Sequence, residues 1–401
     1  MPFECSQAAG TNALIAHVIT DLNNRRNWSA EWLGPNIWND RPPGLRALRI
    51  KTEMHSHEYF DIPIGDVIHE TGSAISIVFD VPQKLAETFR YRPGQFLTMR
   101  VLVDGKYRHR CYSLASAPGV DARHKVTVKR VDQGLVSNEL CSNAKVGQVL
   151  QVQPPAGLFV PADLNAKFLL LAGGSGITPI LSIAKSALAD GHGHIALFYA
   201  NRDEASVIFR DELNELCGRY PSRLTMIHWL ETVQGLPTSQ HLAGLLKPFV
   251  SRDTYICGPA PFMDAAVDAL TAIGVSRQRI HLERFISLPD EDAEGEPSAR
   301  QPAASAQGGK AVTRLTVLID GKQHEIHWSP NQKMLDAMIA AGIDAPYSCR
   351  VGGCSACMCR VTEGEVTMAK NLVLDEQDLA EGWVLACQGQ PNSAQVRCQI
   401  P

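Results

Sequence analysis

The sequence predicts a multidomain protein in which an antiparallel β-barrel precedes a doubly wound α/β domain and a smaller α+β domain. Residues 61–162 show short alternating strands separated by turn signals such as Asp104-Gly105, as in barrels and sandwiches. Residues 163–287 alternate strand-like and helix-like patterns, which is typical of a parallel sheet covered by helices. Residues 312–401 begin with strand-like runs and an amphipathic helix, and a cluster of cysteines follows.

Composition and charge exclude several classes of protein. With 45% hydrophobic and 20% charged residues, the chain can bury substantial cores. The formal net charge of −4 disfavours a general nucleic-acid binder. No apolar run approaches the roughly 20 residues that span a bilayer, and Ala13–Ile19 lacks the basic segment that precedes a signal-peptide core. We therefore expect a soluble cytoplasmic protein with no membrane span and no nucleic-acid partner.

Two segments are expected to lie outside the folded domains. Residues 1–60 hold three of the six tryptophans and several prolines, and they form an N-terminal extension that either packs on the main body or docks a partner. Residues 288–311 contain no aromatic or β-branched residue and include a run of acidic side chains. Such a segment cannot bury enough apolar surface to offset its ordering entropy, so we predict a flexible linker.

Four cysteines near the C-terminus have the spacing of an iron–sulfur site. They form a C-x4-C-x2-C pattern followed by one later cysteine: Cys349, Cys354, Cys357 and Cys387. This is the plant-type [2Fe–2S] arrangement, and Gly352 and Gly353 permit the positive φ that such a loop needs. A zinc knuckle is the alternative, but zinc sites favour paired C-x2-C units. Cys359 and Cys398 fall outside the pattern and are expected to be buried core residues.

A strand of the barrel carries side chains suited to a flavin. Arg110 offers a fork for a phosphate, Tyr112 a flat ring for the isoalloxazine, and Ser113 a hydroxyl for its N5 atom. On a strand, Arg110 and Tyr112 project to one face, and Cys111 and Ser113 to the other. A later strand and a Gly/Ser turn supply further backbone contacts, including amides for a pyrophosphate. These predicted contacts are Val128, Lys129, Gly134, Val136 and Ser137.

A glycine-rich segment between a buried strand and a predicted helix, Ile180–Asp190, is suited to a dinucleotide. Missing side chains let backbone amides approach a pyrophosphate at the helix N-terminus. The predicted contacts in this segment are Gly173, Gly174, Ser175, Gly176, Thr178 and Pro179. A second set follows later strands and comprises Asn201, Arg202, Cys257, Gly258 and Pro259. Cys257 is either a contact of the hydride-donating carbon or a buried strand terminus, and Arg202 and Asn201 bind the adenosine side or are simply solvated.

Together these motifs resemble the ferredoxin–NADP reductase superfamily fused to a C-terminal plant-type ferredoxin, over residues 60–401. The order of the flavin, nicotinamide and ferredoxin domains along the chain is similar to that in the reductase components of 3-ketosteroid 9α-hydroxylase and phenylacetyl-CoA epoxidase. The resemblance implies an antiparallel β-barrel flavin domain, an α/β doubly wound nucleotide domain and an α+β β-grasp ferredoxin domain. Phthalate dioxygenase reductase shares the order but uses FMN; here the turn at Gly134–Asn138 resembles the FAD type, so FAD is expected.

The resemblance also implies roles for individual residues. Residues matching Arg110, Tyr112, Ser113 and Ser137 hold the flavin, while Thr178 and the Cys257 segment border the nicotinamide. The stretch that ends the nucleotide domain includes Glu283 and Phe285, and Glu283 lies near the hydride path or, on the alternative interpretation, is a surface carboxylate. Acidic neighbours of Arg202 leave NADH and NADPH both open.

Electron counting then predicts a mechanism. NAD(P)H supplies two electrons as a hydride, whereas the [2Fe–2S] cluster accepts one at a time, so the flavin must divide the pair. The linker would let the last domain alternate between the flavin and an acceptor, which we expect to be a terminal oxygenase component. Two alternatives are a redox-sensing or interaction protein, and an electron-transfer subunit of another oxidoreductase.

Overall fold

A computed structural model describes residues 59–285 and 312–400, and all of them belong to one compact unit that spans Met54–Pro401. The predicted linker, residues 288–311, lies outside this description. So does the predicted N-terminal extension, except for residues 59 and 60. Among the helices in the described ranges, none is both long enough and apolar enough to cross a membrane.

The first domain, which we call the barrel domain, is an antiparallel six-stranded sheet with one helix. Its elements are β1 (Phe60–Thr71), β2 (Ala74–Phe79), β3 (Phe96–Val103), β4 (Lys106–Ser113), β5 (His124–Lys129), α1 (Leu135–Asn143) and β6 (Val149–Val152). The strand order is β4-β3-β6-β1-β2-β5, and a bridge between Leu114 and Val126 joins the two edges. This closure confirms the predicted antiparallel barrel.

Strand β3 shows how the barrel domain is covered on both sides. Leu97, Met99 and Val101 alternate along one face and are buried in the barrel core, as a period of two requires. Phe96 and Thr98 lie on the opposite face, yet each is only 2% exposed. That outer face of β3 is therefore covered by another part of the protein.

The second domain, the nucleotide domain, is a parallel five-stranded sheet in the order β11-β10-β7-β8-β9, as predicted. Its elements are β7 (Phe168–Gly173), α2 (Ile177–Asp190), β8 (Ile195–Asn201), α3 (Arg210–Arg219), β9 (Leu224–Leu230), α4 (Glu231–Gln234), α5 (Ser239–Leu246), β10 (Asp253–Cys257), α6 (Ala260–Ala272) and β11 (Ile280–Glu283). Helix α2 begins three residues before the predicted start, because Pro179 is tolerated in a first helical turn.

The C-terminal domain has a five-stranded mixed sheet, in the order β13-β12-β18-β14-β16, and a two-stranded sheet of β15 and β17. Its elements are β12 (Thr313–Ile319), β13 (Lys322–Trp328), α7 (Met334–Ala340), β14 (Met358–Glu363), β15 (Val366–Met368), α8 (Glu376–Ala380), β16 (Trp383–Leu385), β17 (Gly389–Pro391) and β18 (Gln395–Gln399). Strands β12 and β18 pair in parallel and the remaining pairs are antiparallel, which confirms the predicted α+β class.

A network of buried charges joins the barrel domain to the nucleotide domain. The Lys185 ammonium on α2 is 7% exposed and pairs with Asp121 at 2.7 Å and with Glu212. Glu212 also pairs with Lys125 of β5, with an N–O distance of 2.7 Å. Burial alone would raise the pKa of Glu212, but its two lysine partners outweigh that effect and lower the pKa. The carboxylate of Glu212 therefore links the two domains.

A second charged contact joins the nucleotide domain to the C-terminal domain. Arg277, just before β11, pairs with Asp375 at 3.1 Å and with Asp378 at 3.5 Å, and all three side chains are about one quarter exposed. Beside this contact, the edge strand β11 and the C-terminal domain border a cavity of about 340 Å³. The C-terminal domain thus rests on both of the other domains.

We predict that Glu212→Ala lowers the free energy of unfolding at pH 7 by about 3 kcal/mol or more, because Lys125 and Lys185 are left buried without their shared partner. Urea denaturation at equilibrium measures this difference. Since the folded-state pKa of Glu212 lies below its usual 4.5, the stabilisation is complete above about pH 4.5 and is lost as the pH falls further.

The matched control is Glu87→Ala, which removes an ion pair with Arg90 whose side chains are 76% and 74% exposed. Because solvent screens such a pair, the control should change the free energy of unfolding by no more than about 0.5 kcal/mol. Equal losses in the two variants would show that the buried network does not hold the domains together.

Candidate redox site

Strand β4 presents two of the predicted flavin residues, Arg110 and Tyr112, on its inner face and the third, Ser113, on its outer face. Arg110 and Tyr112 lie on the side of the strand that faces the barrel, and Tyr112 packs against the barrel core near Cys141 of α1. Burial raises the pKa of the Tyr112 hydroxyl, so the ring is neutral and largely shielded from water. A guanidinium next to an aromatic ring on one strand suits a phosphate and an isoalloxazine.

The predicted Gly/Ser turn is in fact the beginning of helix α1. Gly134 is the N-cap residue, and no described side chain caps this end by a hydrogen bond. A Cβ atom at Gly134 would lie 2.6 Å from the Ser137 hydroxyl oxygen, so a larger residue would displace that hydroxyl. The Ser137 hydroxyl accepts a hydrogen bond from the Val131 amide and donates one to the Gly134 carbonyl. Ser137 therefore shapes this helix end, whose amides suit a phosphate.

Three other predicted flavin contacts lie on β5 and α1: Val128, Lys129 and Val136. The side chains of Val128 and Val136 are buried in the barrel core, so only their backbone can face a cofactor. The ammonium of Lys129 lies at Gly174, 3.4 Å from where a Cβ of that glycine would stand. Burial and the neighbouring Arg202 lower the pKa of Lys129. The Lys129 side chain therefore lies beside the glycine-rich loop, and its role as a flavin contact stays a prediction.

The glycine-rich loop brings two strand ends of the nucleotide domain into close contact. A Cβ atom at Gly176 would stand 2.2 Å from the Cys257 carbonyl oxygen, and one at Gly258 would stand 3.0 Å from the Gly173 Cα. One at Gly173 would meet Pro259 at 2.9 Å. Backbone thus packs directly on backbone where β7 and β10 end, at the crevice in which parallel sheets bind nucleotides.

The remaining predicted nucleotide-binding residues differ in whether their polar groups already have hydrogen-bond partners within the protein. The Thr178 hydroxyl donates a hydrogen bond to the Ser175 carbonyl, and Pro179 is buried in the first turn of α2. Asn201 is 7% exposed, and neither its amide oxygen nor its amide nitrogen is hydrogen-bonded within the described residues. A buried amide without partners is costly unless a ligand satisfies it. With the cations of Lys129 and Arg202 nearby, this edge suits a nicotinamide dinucleotide.

A narrow pocket of about 40 Å³ lies where the three domains meet, and its lining includes Ser113, Glu283, Phe285 and Cys354. Burial raises the pKa of Glu283 to about 8, so the carboxyl holds its proton at neutral pH. Glu283 is therefore not a fully solvated surface carboxylate. Its register partner Cys257 is completely buried in the nucleotide core, as expected for a strand terminus.

The four predicted cluster ligands lie in two contacting pairs. Cys349 packs beside Cys354, and Cys357 and Cys387 lie together in the core of the C-terminal domain. Backbone amides point at the sulfurs: that of Gly353 donates to Cys349 at 3.3 Å, and that of Cys349 to Cys354 at 3.4 Å. Two thiol pairs supply the four protein ligands that a [2Fe–2S] cluster takes. The cysteines therefore fit the predicted cluster.

The backbone of the cluster loop departs from the predicted glycine pattern. Gly352 has a positive φ of 78°, as expected, whereas Arg350 and Ser355 adopt a φ of 56° although neither is glycine. Within residues 59–285 and 312–400, no three His, Cys, Asp or Glu side chains are grouped around a single metal ion. Cys359 and Cys398 are completely buried in the core of the C-terminal domain.

The outer face of β4 meets the cluster loop, a contact that the sequence analysis did not predict. Phe96 and Cys111 of the barrel domain pack against Cys354 and Ala356 of the C-terminal domain. Thr98 is hydrogen-bonded to Ser348, the residue before the first ligand. The strand alternation had placed Cys111 on this face, but nothing in the sequence indicated what would cover it.

Three family models match consecutive parts of the chain. They are the oxidoreductase FAD-binding domain at residues 61–160, the oxidoreductase NAD-binding domain at 170–268 and the 2Fe-2S iron-sulfur cluster binding domain at 317–392. These matches confirm the predicted FAD, NAD(P)H and [2Fe–2S] cluster, in the predicted order.

Relatives of known function are matched over almost their whole length. The ferredoxin reductase component of 3-ketosteroid-9-alpha-monooxygenase from Rhodococcus rhodochrous is 48% identical, over 84% of this chain and 95% of the relative. The component of the same name from Mycobacterium tuberculosis is 49% identical, over 84% and 94%. One of the subunits of 1,2-phenylacetyl-CoA epoxidase from Escherichia coli is 35% identical, over 84% and 96%.

Solved structures share the fold. Phthalate dioxygenase reductase matches with a TM-score of 0.51 and 23% identity, over 85% of this chain and 98% of that one. CYP116B46 from Tepidiphilus thermophilus matches with a TM-score of 0.61 and 23% identity, over 85% of this chain but only 42% of that longer one. At this level of identity the likeness concerns the fold alone.

We predict that Gly176→Ala weakens the binding of NADP⁺ or NAD⁺ to the holoprotein at least tenfold, because the added methyl group would push apart the ends of β7 and β10. Isothermal titration calorimetry measures the dissociation constants. Gly244→Ala in α5 is the matched control, since nothing lies within 4 Å of its added Cβ. If both variants bind like the native protein, the close approach at Gly176 is not needed for the nucleotide.

Proposed function

This chain belongs to the family of FAD- and NAD-binding oxidoreductases that carry a C-terminal [2Fe–2S] ferredoxin domain, and from this membership we propose that it reduces the terminal oxygenase component of a steroid-ring hydroxylase. It is an NAD(P)H-dependent oxidoreductase, the reductase component of a multicomponent oxygenase. The observation that carries the steroid assignment is the identity of 48–49% to reductase components of 3-ketosteroid-9-alpha-monooxygenase, against 35% to the epoxidase subunit.

We propose the following division of work among the site residues. Bound FAD would supply the exchange between two-electron chemistry at the nicotinamide and one-electron chemistry at the cluster. Arg110 and the first amides of α1 bind the phosphates of FAD, and Tyr112 orients the ring from the barrel side. Gly173, Gly176 and Gly258 keep the crevice free of side chains, so the nucleotide can approach the backbone.

The pocket between the domains is where we place the transfer of the hydride and of the electrons. Ser113 is buried and stands beside Glu283, whose carboxyl keeps its proton at neutral pH because of burial. A neutral carboxyl at this point avoids placing a negative charge next to a reduced flavin. Phe285 also lines the pocket and is 45% exposed, and we assign its ring the role of limiting the access of water. Cys257 and Glu283 stay the proposed catalytic residues, together with Ser113.

The domain boundaries and the setting are also proposals. We assign residues 61–162, 163–287 and 312–401 to the three domains, and the three family models fall within these ranges. Residues 288–311 would be the flexible linker. The ten described cysteines are all free thiols, which supports a reducing, cytoplasmic location. Residues 313–401 carry ten acidic and seven basic side chains, which supports an acceptor with a basic surface.

Reconstitution with purified oxygenases tests the proposed acceptor. With NADH or NADPH, the holoprotein should support hydroxylation of a 3-ketosteroid by the oxygenase component of 3-ketosteroid 9α-monooxygenase. The rate should exceed that of product formation with the phenylacetyl-CoA epoxidase complex at least tenfold, because a reductase must fit its own acceptor. The reverse order of rates would assign the chain to the epoxidase, and a single turnover with every acceptor would indicate a redox sensor.

Cys354→Ser tests the electron route inside the protein. Because the variant lacks one of the four thiols, it should lose at least nine tenths of its NAD(P)H–cytochrome c activity and its cluster absorbance. Its ferricyanide activity should stay near native, since the flavin suffices for that acceptor. Cys398→Ala, which removes a buried core thiol, is the control and should keep the cluster. Cytochrome c reduction by a clusterless Cys354→Ser protein would contradict this route.

A further inference from the structure

A buried glutamine connects the last proposed cluster ligand to the loop that carries the other three. Gln388 directly follows Cys387 and is 7% exposed. Its backbone amide donates to the Leu385 carbonyl at 2.8 Å, and its backbone carbonyl accepts from the Ala369 amide at 3.1 Å. The side chain of Gln388 therefore extends from a backbone that is fixed on both sides.

The aliphatic part of the Gln388 side chain lies against Gly352 in the cluster loop. A Cβ atom on Gly352 would stand 3.1 Å from the Gln388 Cγ and 3.0 Å from the Lys370 carbonyl oxygen. Because glycine leaves this space free, the glutamine side chain can pass the loop and reach Arg350. There the Nε2 of Gln388 lies 2.8 Å from the Arg350 carbonyl oxygen.

The Arg350 carbonyl determines which end of the Gln388 amide faces it. A carbonyl oxygen can only accept, so the group at 2.8 Å is the amide NH₂ and not the amide oxygen. The same nitrogen lies 3.6 Å from the Cys387 sulfur, within hydrogen-bond reach of this larger atom. An NH₂ group has two hydrogens to donate. Arg350 and Cys387 therefore do not compete for one proton.

A neutral amide beside a ligand sulfur shifts the reduction potential in a known direction. A cysteine that binds iron is a thiolate, so it can only accept a hydrogen bond. Reduction of the cluster adds one negative charge, which is shared with the ligand sulfurs. A donor at such a sulfur stabilises the reduced state more than the oxidised state and raises the potential.

We propose that Gln388 is a positioning residue that joins the Arg350 carbonyl to the sulfur of Cys387, so that it fixes the cluster loop and raises the reduction potential of the cluster. Arg350 has the left-handed φ of 56° and directly follows the first proposed ligand, Cys349, so a bond to its carbonyl supports the loop at that point. The inference rests on Cys387 as a ligand. Cys387→Ser tests that assignment separately, because it should lose the cluster absorbance whatever Gln388 does.

The test uses Gln388→Met in the full-length holoprotein, with the midpoint potential of the cluster followed by redox titration and electron paramagnetic resonance. Methionine has a similar length but no hydrogen to donate. The midpoint potential should therefore fall, and the fraction of cluster reduced at equilibrium at a fixed ratio of NAD(P)H to NAD(P)⁺ should fall about twofold or more. Gln388→Glu, which also places a negative charge beside Cys387, should lower the potential further.

Gln323→Met is the matched control, because Gln323 is an exposed glutamine on the edge strand β13 of the same domain. It should leave the potential and the resonance spectrum unchanged. A fully loaded Gln388→Met protein with the native potential would overturn the proposal.

If Gln388→Met does not assemble its cluster, a measurement on the native sequence decides. The protein is made with the heavy nitrogen isotope only in the side-chain amides of its glutamines. Pulsed electron paramagnetic resonance of the reduced cluster should then detect coupling to such a nitrogen, because Nε2 of Gln388 lies beside the Cys387 sulfur. The absence of that coupling would refute the contact.

Discussion

The arrangement of the molecule depends on the two-residue alternation of one strand, β4. Alternation directs Arg110 and Tyr112 towards the barrel and Cys111 towards the C-terminal domain, so one stretch of backbone serves both the flavin site and the cluster loop. A shift of register by one residue would exchange the two sets of side chains. Pairing with β3 prevents that shift, because the buried residues of β3 allow only one face into the core.

The nucleotide domain reaches this strand through two kinds of contact with different physical origins. Its glycines allow backbone to lie on backbone, which fixes the crevice by steric exclusion. Its position against the barrel is maintained by the charge network centred on Lys185 and Glu212, in which each buried ammonium has a carboxylate partner. Charges of this kind contribute little net stability, but an unpaired charge is costly, so they favour one relative position of the domains.

Much of this organisation could be predicted from the sequence because its signals are local. The C-x4-C-x2-C spacing, the glycine-rich segment after a buried strand and the change from strand periodicity to helix periodicity each depend on neighbouring residues. The segment at Gly134 was predicted to be a turn but begins helix α1, because glycine and serine are common both in turns and at helix N-termini.

The features that sequence reasoning missed arise from contacts between distant parts of the chain. Lys129 lies at the nucleotide loop because the end of β5 faces another domain, which its own pattern does not indicate. Cys111 contacts the cluster loop, and Ser348 contacts Thr98, because the C-terminal domain covers β3 and β4. An alternating pattern indicates that a face is covered, but not by what.

The backbone of the cluster loop has a consequence for how the protein matures. Arg350 and Ser355 are held in a left-handed conformation that costs side-chain-bearing residues of order 1 kcal/mol or more each. Bonds from sulfur to iron would offset this cost, and without them the loop would lack that stabilisation. Binding of the cluster is therefore coupled to the folding of this loop, so the holoprotein should resist unfolding better than the same chain without its cluster.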